Sequence, residues 1–306
     1  MTATEQPDDD VTAMLRDSLR GFLDEHWRPR GAMASSSPDE ISAIWRKLVG
    51  QGVAALGAQG DEGGLAEILV VMAELGRAGC PAPMWSAALA NLAISGSQSD
   101  VVTDLLARLH SGKAIVAFSF GALDPDRGTG SIEVAINAAT GVLRCVEAAG
   151  SATHLLVALD RAHLALIELG RPGVECVATR AMGAWGLYEI RLNAAPLTRI
   201  AGGGVDLDEL RIKGKAMLTA RAYGAARRAF ELAVDYARER HQFGQPIGKF
   251  QAIQHKLANC LIALEGVRLI LDHTARLHDG GDADWRYFAD CASAFSGSAL
   301  RQVALE

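Results

Sequence analysis

YARERHQFGQPIGKFQAIQHKLAN, residues 236–259, is the most informative stretch of this 306-residue chain. Local rules read it as a joint between two helices. Arg238 and Arg240 suit the negative end of a helix macrodipole, Gly244 stops the helix, Pro246 keeps it from resuming, and a new helix opens at Phe250-Gln251. The flanks agree. Upstream, Asp206 can cap a long helix that ends near Arg240. Downstream, a second helix runs from about Gln251 to Leu277, with Ile253, Leu257, Leu261, Leu264, Val267 and Leu271 on one side and Gly280-Gly281 closing it. A third starts near Asp284 and is still running at Glu306, so the bundle is read as incomplete at its C-terminal end. Long helices joined by short loops predict an antiparallel bundle over 204–306.

Upstream of the bundle the texture changes. Over 113–203, short runs rich in β-formers are cut by turn residues: AIVAFSF, SIEVAI, VLRCVE, THLLVAL, HLALIEL, GVECVATR and LYEIRL. Asp160-Arg161-Ala162 separates two of them at hairpin spacing. Such runs predict an antiparallel sandwich or barrel. Over 1–112 the period is helical. Val11, Leu15, Leu19, Phe22, Leu23 and His26 fall on one helix face. Ser37-Pro38-Asp39-Glu40 announces a second helix with a capping box, apolar at Ile41, Ile44, Trp45, Leu48 and Val49 and ended by Gly50. The loop GAQGDEGG, residues 57–64, leads to a third helix, LAEILVVMAELGRAG, and Pro81 and Pro83 break the chain after it. Two more helices cover roughly 85–95 and 99–111. The expected fold class is mainly α with a central β domain: an N-terminal helical domain (1–112), a middle β domain (113–203) and a C-terminal helical bundle (204–306).

Composition narrows the function. Hydrophobic residues make up 49% of the chain and charged residues 22%, with a net charge of −6. No basic stripe points to nucleic acid or an anionic membrane. No apolar run approaches the roughly 20 residues of a membrane span, and the acidic start MTATEQPDDD is not a signal peptide. Cys80, Cys145, Cys176, Cys260 and Cys291 are scattered without a C-x-x-C pair, which reads as reduced thiols in a cytoplasmic protein. His273 and His278 lack an acidic partner in register, so no metal site is expected. Ser35-Ser36-Ser37 reads as a loop and cap. Ala201-Gly202-Gly203-Gly204 reads as a hinge rather than a phosphate loop, because no strand–Gly loop–helix context surrounds it.

The whole of 236–259 resembles the signature of the acyl-CoA dehydrogenase family: a helix, then Arg-x-x-Phe-Gly-x-x-Ile at Arg240 to Ile247, then Phe-Gln opening the next helix. GDEGG, AELGRAG, the β segment and LYEIRLNAAPLTRI match in the right order, so the resemblance covers nearly all the chain. It implies an N-terminal helical domain and a C-terminal four-helix bundle sandwiching a small β domain, with FAD extended at a dimer interface. It implies that Arg240, Gln242 and Phe243 contact the FAD pyrophosphate of the opposite subunit, and that Phe250 and Gln251 make further contacts in trans. An acyl-CoA substrate, electron-transfer flavoprotein as acceptor, and a place in fatty acid or sterol degradation are implied in the same way. A guanidinium suits a diphosphate because it forks two donors at fixed geometry.

On the catalytic side the chain departs from the family. There a carboxylate removes the α-proton of the thioester while the β-hydride goes to the flavin. One family position for that base falls on Gly214, between Lys213 and Lys215. Glu209 lies more than a turn earlier and Glu231 well past it. The other position, and the family's Gly-rich adenine-binding segment, would lie beyond Glu306, so no catalytic residue is assigned. The run that meets flavin and substrate reads AFSFGALDPDRGTGS, with Ser119 a candidate for a threonine. A later Trp-Ile-Thr-like strand reads Cys145-Val146-Glu147, a carboxylate replacing a hydroxyl donor. The arm that acts on a partner is intact, whereas the chain's own flavin face is degraded. Three readings stay open. The first is a half-site subunit of an actinobacterial α2β2 dehydrogenase, completing the FAD site of a second acyl-CoA dehydrogenase subunit. The second is a complete homo-oligomeric dehydrogenase with its base in further residues. The third is a flavin-free interaction protein that kept the fold.

Overall fold

Ser37 opens its helix as the sequence requires. Its Oγ accepts the Glu40 N–H at 3.3 Å, and the Glu40 carboxylate accepts the Ser37 N–H at 2.9 Å. The computed structural model describes residues 7–28, 36–60, 63–123, 130–179, 186–201 and 206–306. Gly202 to Gly204, Ser35, Asp61, Glu62, Arg180 and the stretch 124–129 therefore lie outside the described residues. The chain is mainly helical with β structure in its middle. It divides into two compact units.

One unit comprises Arg30–Gly63 and Pro81–Arg211. It holds α2 (Pro38–Val49), α4 (Met84–Ile94), α5 (Asp100–His110) and eight strands. Strands β1 (Val116–Ser119), β4 (His154–Ala158), β5 (His163–Glu168) and β8 (Thr198–Ala201) form one sheet, in the order β1-β4-β5-β8. Strands β2 (Gly130–Val134), β3 (Ala138–Glu147), β7 (Leu187–Pro196) and β6 (Val174–Ala178) form the second, in the order β2-β3-β7-β6. Leu143, Leu155, Val157, Ile167 and Ile190 fill the core of the two sheets. Asp160 shapes the β4–β5 hairpin by accepting the Ala162 and His163 N–H groups at 2.8 and 2.9 Å. Two features differ from the sequence reading. β1 pairs with β4 in parallel, because the chain makes β2 and β3 in the other sheet before returning, and such a crossover permits parallel pairing. The stretch after LYEIRL contributes an eighth strand, β8, paired with β5. The buried Asn91 is satisfied: its amide donates to Ala54 O and Leu56 O, and its Oδ1 meets His110 Nε2 at 2.9 Å.

The other unit comprises Met1–Pro29, Gly64–Cys80 and Ile212–Glu306. It contains α1 (Pro7–His26), α3 (Leu65–Ala78), most of α6 (Leu207–Glu239), α7 (Gln251–Asp279) and α8 (Trp285–Leu305). A guanidinium–carboxylate fork joins α1 to α3: Arg20 Nε and Nη2 donate to buried Glu74 at 3.0 and 2.7 Å. α3 and α6 cross at two glycines. A Cβ on Gly76 would lie 1.9 Å from Arg221 O, and one on Gly224 would lie 1.8 Å from Ala73 O. Asp206 caps α6 through its Oδ1, 2.9 Å from Asp208 N. Ala226, Cys260, Leu264 and Val303 form a core among α6, α7 and α8. The apolar faces read from the sequence are only partly buried. Leu19 and Leu23 are enclosed, but Val11, His26 and Leu261 are exposed, since a helical period marks a face without stating how far along it a neighbour extends.

The end of α7 reaches the start of α3. The Asp279 carboxylate accepts the Leu65 and Ala66 N–H groups at 2.8 and 3.0 Å. The final glycine of GDEGG is the notch that admits it, because a Cβ on Gly64 would lie 2.6 Å from the carboxylate carbon.

Candidate functional site

The joint at 236–251 stops the helix near Arg240, as local rules predict, and adds a hairpin that they do not. α6 ends at Glu239, before Gly244. His241–Gln242 (β9) then pairs antiparallel with Gln245–Pro246 (β10). The two residues between them, Phe243 and Gly244, have φ values of 52° and 80°. Two consecutive positive φ angles match the right-handed twist of a two-residue hairpin. Glycine adopts that geometry freely, whereas an aromatic residue there is strained. Phe243 is also 91% exposed, so burial does not compensate the strain.

The hairpin is anchored at its base. Ile247 N donates to Arg240 O at 2.8 Å. A 3-10 turn, Ile247–Lys249, lies against the last turn of α6, where a Cβ on Gly248 would stand 3.0 Å from Ala237 O. Phe250 starts α7 without a side-chain cap and meets Phe243 edge to face, ring centroids 6.1 Å apart. The five residues read from the sequence thus gather at one joint. Arg240, Gln242, Phe243 and Gln251 are exposed, and Phe250 is half-buried. Arg240 makes no ion pair among the described residues. The guanidinium and the two amides offer hydrogen-bond donors beside an exposed aromatic ring, and a guanidinium with neighbouring amides suits an anion. Ile247 belongs to the motif read from the sequence, whereas Gly248 and Gln254 were not singled out there.

At the other end of α6 the charges are occupied. Gly214 is buried. Lys213 Nζ lies 5.6 Å from the Trp285 ring centre, and Lys215 Nζ is 3.2 Å from Asp290 Oδ1. Asp208 pairs with Arg161 at 3.2 Å and with Arg211 at 3.4 Å. Glu231 is held by Arg77, Arg227 and Arg228 at 3.0, 3.5 and 3.5 Å, a structural ion cluster. In the β unit, the buried Ser119 Oγ accepts the Gly121 N–H at 3.1 Å. Cys145 occupies a bulge of β3 with φ 57°, and Glu147 is buried at the strand's end. A groove of about 340 Å³ between α7 and α8, around Ile262 and Phe295, has no titratable lining group. Among the described residues there is no cluster of three metal-ligating side chains, and no helix is long and apolar enough to cross a membrane. All five cysteines are free.

Comparison with known proteins adds four findings. The family model for the acyl-CoA dehydrogenase C-terminal domain matches residues 192–306. The chain is 31% identical over 269 residues to acyl-CoA dehydrogenase IpdE2 of Mycobacterium tuberculosis, covering 84% of this chain and 73% of that one. Among solved structures it resembles a Tcur3481–Tcur3483 steroid ACAD variant, at TM-score 0.79 and 26% identity, covering 97% of this chain and 87% of that one. It also shares the fold of the ChsE4–ChsE5 complex of Mycobacterium tuberculosis, at TM-score 0.72 and 23% identity, with 99% and 87% covered.

Proposed function

We propose, because the chain belongs to the acyl-CoA dehydrogenase family, that it is a subunit of a flavin-dependent acyl-CoA dehydrogenase that completes the FAD site of a catalytic partner. The observation that carries this reading is the contrast along α6. Its end presents an exposed Arg240, without an ion pair among the described residues, on an anchored hairpin, while its start has buried Gly214 where the family's helix-borne base would stand. When bound, the flavin supplies the hydride acceptor for α,β-dehydrogenation. Arg240 grips the pyrophosphate with a forked, charge-assisted pair of donors, and the Gln242 and Gln251 amides add neutral ones. Phe243 and Phe250 offer apolar surface beside them. The partner supplies the carboxylate that removes the α-proton. The family's division into domains at 1–112, 113–203 and 204–306 goes with this reading, as do a cytoplasmic location and electron-transfer flavoprotein as acceptor. Likeness to a steroid ACAD and to a two-protein complex supports a sterol-derived acyl-CoA and a heteromeric assembly.

A homodimer would pair two degraded flavin faces with two sound arms, so bound FAD favours the mixed assembly. Co-purification with the product of the neighbouring gene should yield about one flavin per pair of chains. One flavin per polypeptide, or a yellow homo-oligomer of this chain alone, would contradict the proposal. Arg240→Ala should weaken FAD retention by the assembly roughly 10- to 100-fold, as for a lost hydrogen bond to a charged group, with the melting temperature of this chain alone little changed. Undiminished flavin occupancy would remove Arg240 from the site.

A further inference from the structure

We propose that Gln254 is a positioning residue for the cofactor arm, tying the first turn of α7 to the 3-10 turn before it and so fixing where Arg240, Phe243 and Phe250 stand. The inference rests on the flavin reading above. Its own basis is local geometry. Gln254 Nε2 donates to Gly248 O at 3.0 Å, reaching back six residues along the chain. Its backbone N–H is bonded to Phe250 O at 3.1 Å, so one residue secures both the helix start and the turn that precedes it. Gly248 is itself seated on Ala237 in the last turn of α6. The carbonyl that Gln254 holds is therefore seated on the last turn of the helix that leads into Arg240.

The arm needs such a clamp. α7 has no side-chain cap at Phe250, and an uncapped helix start frays. Fraying there would move Phe250, the ring against which the strained Phe243 rests. A residue in a sparsely populated φ region keeps it only while its surroundings determine it. Gln254 lies outside the set of groups facing the cofactor, so its effect is transmitted through the backbone of 247–251. It contributes order to a donor set that must be in place before an anion arrives, and that order reduces the cost of binding.

Two variants test this. Gln254→Leu removes the amide while keeping a side chain of similar bulk, and Gln254→Glu keeps its shape but exchanges the donor for a carboxylate. In the chain alone, hydrogen exchange at the Ile247 and Phe250 amides should quicken roughly three- to tenfold in both, the range for one lost hydrogen bond, while global melting moves little. In the co-purified assembly the FAD dissociation constant should rise by a similar factor. The Gln254→Glu variant should regain affinity as pH falls toward the carboxyl value of about 4.3, because the protonated acid can donate again; Gln254→Leu should show no such recovery. Unchanged amide exchange in Gln254→Leu would overturn the clamp. Faster exchange with unchanged FAD affinity would overturn the positioning role, even where Arg240→Ala still releases flavin. Loss of the Arg240 effect would instead bring down the flavin reading beneath it.

Discussion

Two glycine-bearing stretches of this molecule each lead into a long helix, and they treat the helix start in opposite ways. At GDEGG, the chain closes the start of α3 with its own anion: Asp279 takes the Leu65 and Ala66 N–H groups, and Glu67 takes that of Gly64 at 2.7 Å. At FGQPIG, the start of α7 has no side-chain cap, and Arg240, Gln242 and Gln251 are exposed around it. Both are helix N-termini with partial positive charge. One is neutralised by the fold, and the other stands open beside a guanidinium that has no ion pair among the described residues. A helix start whose donors are taken by distant side chains serves stability. An open one beside a cation has something to gain from an external anion. Mutations at the first should therefore change unfolding, and mutations at the second should change cofactor retention.

The contrast is sharpened most strongly by a glycine that belongs wholly to packing. Gly224→Ala should cost about 3 kcal/mol in denaturant unfolding, because its methyl would meet Ala73 O across α3. Alanine's better helix propensity favours the variant by only about 1 kcal/mol, so the clash decides the sign. A neutral or stabilised variant would show that the helices do not cross at that contact. Gly64→Ala and Asp279→Ala should each cost about 1 kcal/mol, the worth of a helix cap. Their double variant should cost less than the sum, since without the carboxylate the new methyl has nothing to strike. Strict additivity would refute the notch.

The same carboxylate titrates with a definite sign. Burial raises the Asp279 pKa, but hydrogen bonds with His278, Leu65 N–H and Ala66 N–H outweigh it, and the net shift is downward. Its contribution is full above the unfolded carboxylate value of about 3.9 and is lost as pH falls through the lower folded value. Asp279→Asn should flatten that part of the acid unfolding profile. The smallest effect on stability is expected at the open turn. Phe243→Gly relieves a positive φ and should leave the chain as stable or up to about 1 kcal/mol more stable, while flavin retention by the assembly falls. Unchanged retention would make the exposed ring incidental.

Much of this was legible in residues alone. The capping box at Ser37 and Glu40, the cap at Asp206, the Asp160 hairpin and the long periods of α6 and α7 depend on neighbours within a few positions, so propensity and periodicity determine them. The motif 240–251 identified the candidate site for the same reason, its residues being consecutive. Tertiary structure alone decided what depends on distant partners. It added a hairpin after the predicted helix stop, because Ile247 and Gly248 hold the chain against the end of α6. It paired β1 with β4 in parallel after an excursion through another sheet. It also set Asp279 against Gly64, more than 200 positions away, a meeting no local pattern records because hydrogen bonds and steric fit act through space and leave no periodic trace along the chain.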